Sequence, residues 1–254
     1  MLRNENRGGI LWLTMDRPPA NALNNALLRE LVPTLEDAGA DPKVRGVVVR
    51  GAGSRFFTAG GDVKEFATLS PEGGLERVEY GSRLKAALGN LECPYVCAVN
   101  GAAIGSGMEM AALADFCVAS ETARFGMPEI NHGLLPMAKG IQQLVRVIGL
   151  NNTKDVLFSG DIFDARKGSE IGLVHEIVPY EKLDERAAEW ITAMASKPPE
   201  LFRALKRTVN ECLFMSDAEL EDLTKEHLQS YFGAEESRIK REDYLERQRS
   251  KKTG

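Results

Sequence analysis

No stretch of the chain approaches the roughly eighteen consecutive apolar residues that a membrane-spanning helix requires, so no segment reads as transmembrane. The opening MLRNENRGG lacks an apolar secretory core, and the expectation is a cytoplasmic protein. Cysteine is scarce. Cys93, Cys97, Cys117 and Cys212 form no CxxC pair, and three of them sit in strand-like apolar surroundings, which suits small buried hydrophobes in a reducing compartment. His132, His175 and His227 are too scattered for a zinc site, so no metal is expected. A basic field is also missing, because 32 Lys and Arg are interspersed among 37 acids for a net charge of -5, which argues against a nucleic-acid partner. Arg238 to Lys252 is the one strongly basic run, and it carries Glu242, Asp243 and Glu246, as a solvated or subunit-contacting helix would. Gly101, Gly105 and Gly107 follow neither the dinucleotide fingerprint nor a phosphate loop.

What is present is an alternation of short apolar runs and helical patterns over 254 residues, the length of one large domain or one domain with an appended arm. Ile10–Thr14, Val47–Val49, Pro94–Val99 and Phe116–Ala119 read as strands, and Leu23, Leu27, Leu28, Leu31 and Leu35 recur at helical spacing after Asn21, a candidate cap. Such runs separated by helices predict an α/β core with strands covered on both faces. Residues 141–149 and 153–159 read as helices, Leu173–Val178 as a last short strand, and the chain from Lys182 onward as helical, with Pro198 and Pro199 opening one helix and Asp217 capping the next. Ser70-Pro71-Glu72-Gly73-Gly74 reads as a mobile surface loop.

Chemistry concentrates in two glycine-rich segments and two acids. Gly51 to Glu65 follows the Val47 strand, and small residues at 59–61 before Asp62 would leave backbone N–H groups free to face a ligand. Asn100 to Glu109 repeats the layout of strand, glycines and helix start. Two converging turns could supply two donors to one oxygen; two unrelated turns are the plainer alternative. Glu109 falls early in the apolar helix Met108–Ala114, and Glu129, twenty residues on, interrupts an apolar loop after Pro128. Paired carboxylates beside amide donors suit proton transfer at a carbonyl substrate, whereas two exposed surface acids would carry no chemistry. His132 is a candidate to orient Glu129 or a ligand, against a purely structural role.

These residues occur in an order that resembles the enoyl-CoA hydratase/isomerase, or crotonase, family: Asn21-Ala22-Leu23, Phe57 to Lys64, Asn100-Gly101 through Gly105-Ser106-Gly107-Met108-Glu109, Phe125 to Glu129, Gly160-Asp161 with Ala165, and Gly172-Leu173-Val174. The resemblance covers nearly the whole chain. It implies an α/β crotonase fold, a spiral of β-β-α units over residues 1–195, followed by a helical C-terminal trimerisation region over 196–254, with homotrimers or dimers of trimers. It further implies that the Gly61 and Ser106 N–H groups form the oxyanion hole and that Ala59, Gly61, Asp62, Val63 and Lys64 meet coenzyme A. The ligand would be an acyl-CoA thioester, with CoA part of the substrate and no separate cofactor. By the same resemblance Glu109 would deprotonate the attacking water and Glu129 protonate Cα of a 2-enoyl-CoA, giving a 3-hydroxyacyl-CoA.

Two departures from the family pattern bear on specificity. Met137 and Lys139 stand where many relatives have a glycine-rich stretch, which makes them acyl-pocket candidates and admits a branched, cyclic or carboxylated acyl group, unless Met137 fills a gap and Lys139 reaches solvent. Tyr244 to Arg249 replaces the family's aromatic-x-Glu-Lys-Arg ending, and its basic residues could reach CoA phosphates of a neighbouring subunit or solubilise a helix. Alternatives to hydration are 3-enoyl to 2-enoyl isomerisation, another lyase reaction, and a noncatalytic acyl-CoA-binding or RNA-associated scaffold, which would leave both carboxylates unexplained.

Overall fold

A computed structural model describes residues 1–136 and 138–252, with the backbone alone for Ala138, Lys251 and Lys252. The chain divides into two compact units, Met1–Thr192 and Ala193–Gly254. In the first unit, β2 (Ile10–Met15), β3 (Gly46–Gly51), β5 (Tyr95–Val99), β7 (Phe116–Ser120) and β10 (Glu176–Val178) run parallel in a six-stranded sheet, with β1 (Leu2–Arg7) antiparallel at one edge. Three-residue strands β4 (Phe56–Thr58), β6 (Ala102–Ile104) and β8 (Arg124–Gly126) run parallel in a second sheet, which β9 (Ile162–Asp164) closes antiparallel.

The two sheets are built from one repeating step. Each long strand is followed after a tight corner by a short strand in the other sheet, and then by helix: β3 to β4, β5 to β6, β7 to β8. Consecutive turns of this spiral therefore stack like on like. Val47, Val48 and Val49 lie opposite Tyr95, Val96 and Cys97, all without solvent exposure, as strands covered on both faces require. Leu23 bridges Gly61 in place of a first short strand, and α1 (Asn25–Ala40) then buries Leu27, Leu28, Leu31, Val32 and Leu35 along one stripe.

The corners are tied by buried asparagines. The Asn100 side chain accepts from Gly51 N at 2.9 Å and donates to Gly53 O at 2.6 Å and Phe56 O at 3.0 Å. Asn21 Nδ2 donates to Phe56 O as well, at 2.9 Å, and to Ala52 O at 3.1 Å. Asn21 thus holds the β3–β4 corner and does not cap α1; with φ at 51° it occupies a turn, and Asn24 is the cap, accepting Leu27 N at 2.9 Å.

Other expectations need correction. Ser70 to Gly74 is no loop: Ser70 caps α3 (Pro71–Gly89), accepting Gly73 N, and Pro71 occupies the first helical turn, where its missing N–H costs nothing. In sequence α6 (Ala165–Glu170) and α7 (Leu183–Ala195) flank the last strand, which is shorter than Leu173–Val178 because Leu173 and Val174 bond back to Gly168 O in a turn. In the second unit, α8 (Pro199–Glu211) opens on proline as expected, but Ser216 and not Asp217 caps α9 (Asp217–Phe232), in a reciprocal capping box with Glu219. The basic run forms α10 (Glu235–Lys252), where Arg238 pairs with Glu235 and Glu242. Cys97 and Cys117 are buried, none of the four cysteines is in a disulfide, and burial raises the Cys117 thiol to about 12.

Asn100→Ala removes the acceptor of Gly51 N–H and a donor to Gly53 O inside the core. It should lower stability by about 2–4 kcal/mol in urea unfolding. A loss below about 1 kcal/mol would mean that the corner is held by packing alone.

Candidate functional site

The first glycine-rich turn is shaped by β4 and by α2 (Val63–Phe66). Leu23 N–H bonds to Gly60 O at 2.7 Å and Leu23 O accepts Asp62 N–H at 3.2 Å. In such a parallel bridge the intervening residue turns its own amide away from the strand. Gly61 N–H accordingly has no acceptor among the described residues. Asp62 caps α2, accepting Lys64 N at 3.1 Å and Glu65 N at 3.3 Å, and pairs with Arg17 at 2.6 Å. Burial works against its charge, but those amides and the guanidinium hold the carboxyl below its ordinary range.

The second turn carries Gly105, with φ at 53°, ahead of α4 (Ser106–Ala112). Ser106 opens the helix, so its N–H lacks an intrahelical acceptor. The two turns meet, since a Cβ on Gly60 would lie 2.6 Å from Ile104 O and 3.6 Å from Ser106 N. The same turn meets the second acid: a Cβ on Gly105 would lie 2.6 Å from Glu129 Oε1. Glu129 projects from a 3-10 turn, Pro128–His132, whose Asn131 is anchored to Gly160 O at 3.1 Å.

Both glutamates leave the surface. Glu109 is 3% exposed, with Oε2 at 2.9 Å from Lys85 Nζ. Its Oε1 packs on Gly140 of α5 (Ala138–Ser159), where a Cβ would stand only 1.7 Å away. Glu129 is half-buried, and its Oε2 has no hydrogen-bond partner among the described residues. Burial pushes the Glu129 carboxyl up; its own amide opposes this, the Glu109 charge reinforces it, and Lys85 and His132 oppose it at longer range. One carboxylate is ion-paired while its neighbour is drawn toward the protonated form.

The sequence matches the enoyl-CoA hydratase/isomerase family over residues 5–253. The chain belongs to that family. It is 38% identical over 205 residues to a 2,3-dehydroadipyl-CoA hydratase of Escherichia coli, covering 80% of this chain and 78% of that one. It is 35% identical to a probable enoyl-CoA hydratase of Rhizobium meliloti, over 92% and 90% of the two chains. The crystal structure of an enoyl-CoA hydratase from Bacillus anthracis superposes with a TM-score of 0.91 at 27% identity, over 97% of this chain and 96% of that one. The spiral of β-β-α units followed by a helical C-terminal unit is the crotonase-like fold of this family.

Among the residues singled out in the sequence, Gly61, Ser106, Glu109 and Glu129 come together, with Ala59 and Asp62 on the same turn as Gly61. Val63 and Lys64 lie on the exposed side of α2. Lys139 is exposed in the first turn of α5, and Met137 lies outside the described residues. A separate cleft of about 550 Å³ in the C-terminal unit, walled by Pro198, Leu201, Tyr231 and Tyr244, contains no carboxylate, histidine or cysteine.

Two cations beside this candidate site escaped the sequence reading. Lys85 and Arg77 are each 7% exposed and share the buried face of α3 with Gly81, Leu84 and Leu88. Their signal was the stripe 77, 81, 84, 85, 88, a helical face carrying cations where apolar residues are usual. On the outer side Arg29–Glu76 at 2.7 Å and Arg83–Glu36 at 2.6 Å bridge the helix to α1, two pairs set seven residues apart along both α1 and α3.

Lys85→Met should destabilise the protein by about 3–5 kcal/mol by leaving the Glu109 carboxylate buried and unpaired, and Lys85→Met/Glu109→Leu should recover most of that. Failure of the double variant to recover in urea unfolding would assign the loss to the lysine's packing. Glu129 makes a prediction of opposite sense. Its folded-state value lies above the ordinary 4.5, so folding disfavours the charged form, and its contribution is lost as pH rises from 4.5 through the raised value. Glu129→Gln should therefore raise the thermal midpoint relative to the parent at about pH 8 and leave it unchanged at about pH 4. Equal shifts at both pH values would show that this carboxyl does not titrate abnormally.

Proposed function

We propose that the protein is an enoyl-CoA hydratase, adding water across the Cα=Cβ bond of a 2-enoyl-CoA to give a 3-hydroxyacyl-CoA. The observation that carries this reading is the pair of adjacent carboxylates in unlike environments, Glu109 ion-paired with Lys85 and Glu129 drawn toward neutrality. Hydration needs one group to accept a proton from water as its oxygen bonds Cβ, and another to deliver a proton to Cα. Glu109 Oε1, left free by the lysine on Oε2, takes the water proton in this reading, and Glu129 gives the second. Such groups typically contribute about 10²–10⁴-fold each.

Negative charge gathers on the thioester oxygen as water adds. The free amides of Gly61 and Ser106 are suited to receive it, each such donor being worth about 2.7–4 kcal/mol in the transition state. Family membership and the hydratases among the relatives support the acyl-CoA assignment. Ala59, Asp62, Val63 and Lys64 are proposed to border CoA, and Lys139 to flank the acyl chain. Double-bond migration needs only one shuttling carboxylate, so the second buried acid favours hydration over isomerisation. Homotrimers, single or paired, are proposed to form through the C-terminal helices, where Leu205, Val209 and Leu213 leave an exposed apolar stripe at four-residue spacing.

With 2-enoyl-CoAs of graded length and branching, mass spectrometry should register a gain of one water. Glu109→Gln and Glu129→Gln should each cut kcat by about 10²-fold or more with little change in acyl-CoA affinity. No hydration of any substrate by the parent would refute the assignment, and unaltered kcat in either variant would remove that residue from the mechanism.

A further inference from the structure

Arg77 is a buried cation that no carboxylate among the described residues contacts directly. It forms no hydrogen bond or ion pair among the described residues, and its Nε is sealed from solvent without a partner. Three carboxylates act on it at longer range, and each is engaged elsewhere: Glu65 accepts Asn25 N–H at 3.0 Å, Glu109 pairs with Lys85 at 2.9 Å, and Asp62 pairs with Arg17 at 2.6 Å. The Phe66 ring, 5.3 Å from the guanidinium carbon, gives only partial compensation. Burial accordingly disfavours the charge on Arg77. A guanidinium keeps its proton under all ordinary conditions, so Arg77 presents a charge and N–H donors that an anion entering the site can meet.

Its position identifies the site that such an anion would enter. Arg77 Nη2 lies 3.2 Å from where a Cβ on Gly61 would be, beside the turn whose amide faces the proposed thioester oxygen. Eight residues along the same face, about 12 Å of helix, Lys85 holds Glu109. With Glu109 held by Lys85 and Glu65 occupied by the Asn25 amide, Arg77 keeps guanidinium N–H groups that no described carboxylate meets directly. CoA phosphates are separated from the thioester by the pantetheine arm, whereas a carboxylate on the acyl group is held close to it.

We infer that this site takes a dicarboxylyl-CoA, a thioester whose acyl group bears a second, free carboxylate, and that Arg77 is the specificity residue that receives that carboxylate. The inference rests on the acyl-CoA reading above and narrows it. A planar guanidinium meets a carboxylate through two parallel hydrogen bonds, which a methyl terminus cannot accept. A neutral acyl chain of equal length would leave Arg77 buried and unpaired.

Isothermal titration separates these possibilities without requiring turnover, using glutaryl-CoA, valeryl-CoA of the same chain length, and CoA alone. The parent should bind glutaryl-CoA roughly 10- to 100-fold more tightly than valeryl-CoA. Arg77→Gln should abolish that difference while leaving valeryl-CoA and CoA unchanged, and Arg77→Lys should retain part of it. Equal affinities in the parent would overturn the inference, as would a preference that survives Arg77→Gln. If Arg77→Gln weakens all three ligands alike, the arginine serves CoA and the inference fails. If Arg77→Gln does not fold, the parent's preference and its partial retention in Arg77→Lys still decide. Tight binding of both acyl-CoAs without preference would sink this inference alone, whereas no binding of any acyl-CoA would take the hydratase reading with it.

Discussion

The Lys85–Glu109 ion pair is the constraint around which this site is arranged. A carboxylate placed in an otherwise apolar helix, 3% exposed, is tolerated only if an opposite charge reaches it. Lys85 meets that requirement from a face of α3 that buries Leu84 and Leu88 together with Arg77. The same face brings Arg77 beside Gly61, so the partner of one carboxylate and the charge available to a ligand come from one side of the helix.

Close approach is the second condition, and glycine meets it at a few positions where any side chain would intrude. Gly60 lets the first turn lie against Ile104 O, Gly105 lets the second reach Glu129, and Gly140 leaves room for Glu109 itself. At Gly60 and Gly105 a positive φ adds a conformational reason to the steric one. These contacts join segments far apart in the chain. Their geometry is a property of the spiral, in which like strands stack and successive corners come to lie side by side.

Much of this was legible in the sequence because the relevant signals are local. A β-branched run, then glycines, then a helix start marks each corner, and Glu109 and Glu129 stand out as charges within apolar segments. The short strands β4, β6 and β8 were not legible: three residues give no alternation to detect, and Ala102 and Ala103 have little strand propensity. Asn21 was misread because one side chain can cap a helix or tie a corner, and only the distant acceptors Ala52 O and Phe56 O decide which. Helix α3 was misread at Gly73 and Gly74, although Ser70 and Pro71 announced its start. With its beginning lost, the phase of the helix was lost, and Arg77 and Lys85 drew no reading at all.

Phase matters here because proton chemistry depends on unequal carboxyls. Two acids in one low-dielectric pocket repel, and without further help either could take the proton. The structure breaks that symmetry by placement: an ammonium 2.9 Å from Glu109, and an oxygen of Glu129 buried without a partner among the described residues. Interchange of their surroundings would interchange their tasks while leaving both glutamates at the same sequence positions. The division of labour proposed for the pair therefore rests on a lysine that lies outside both glycine-rich segments.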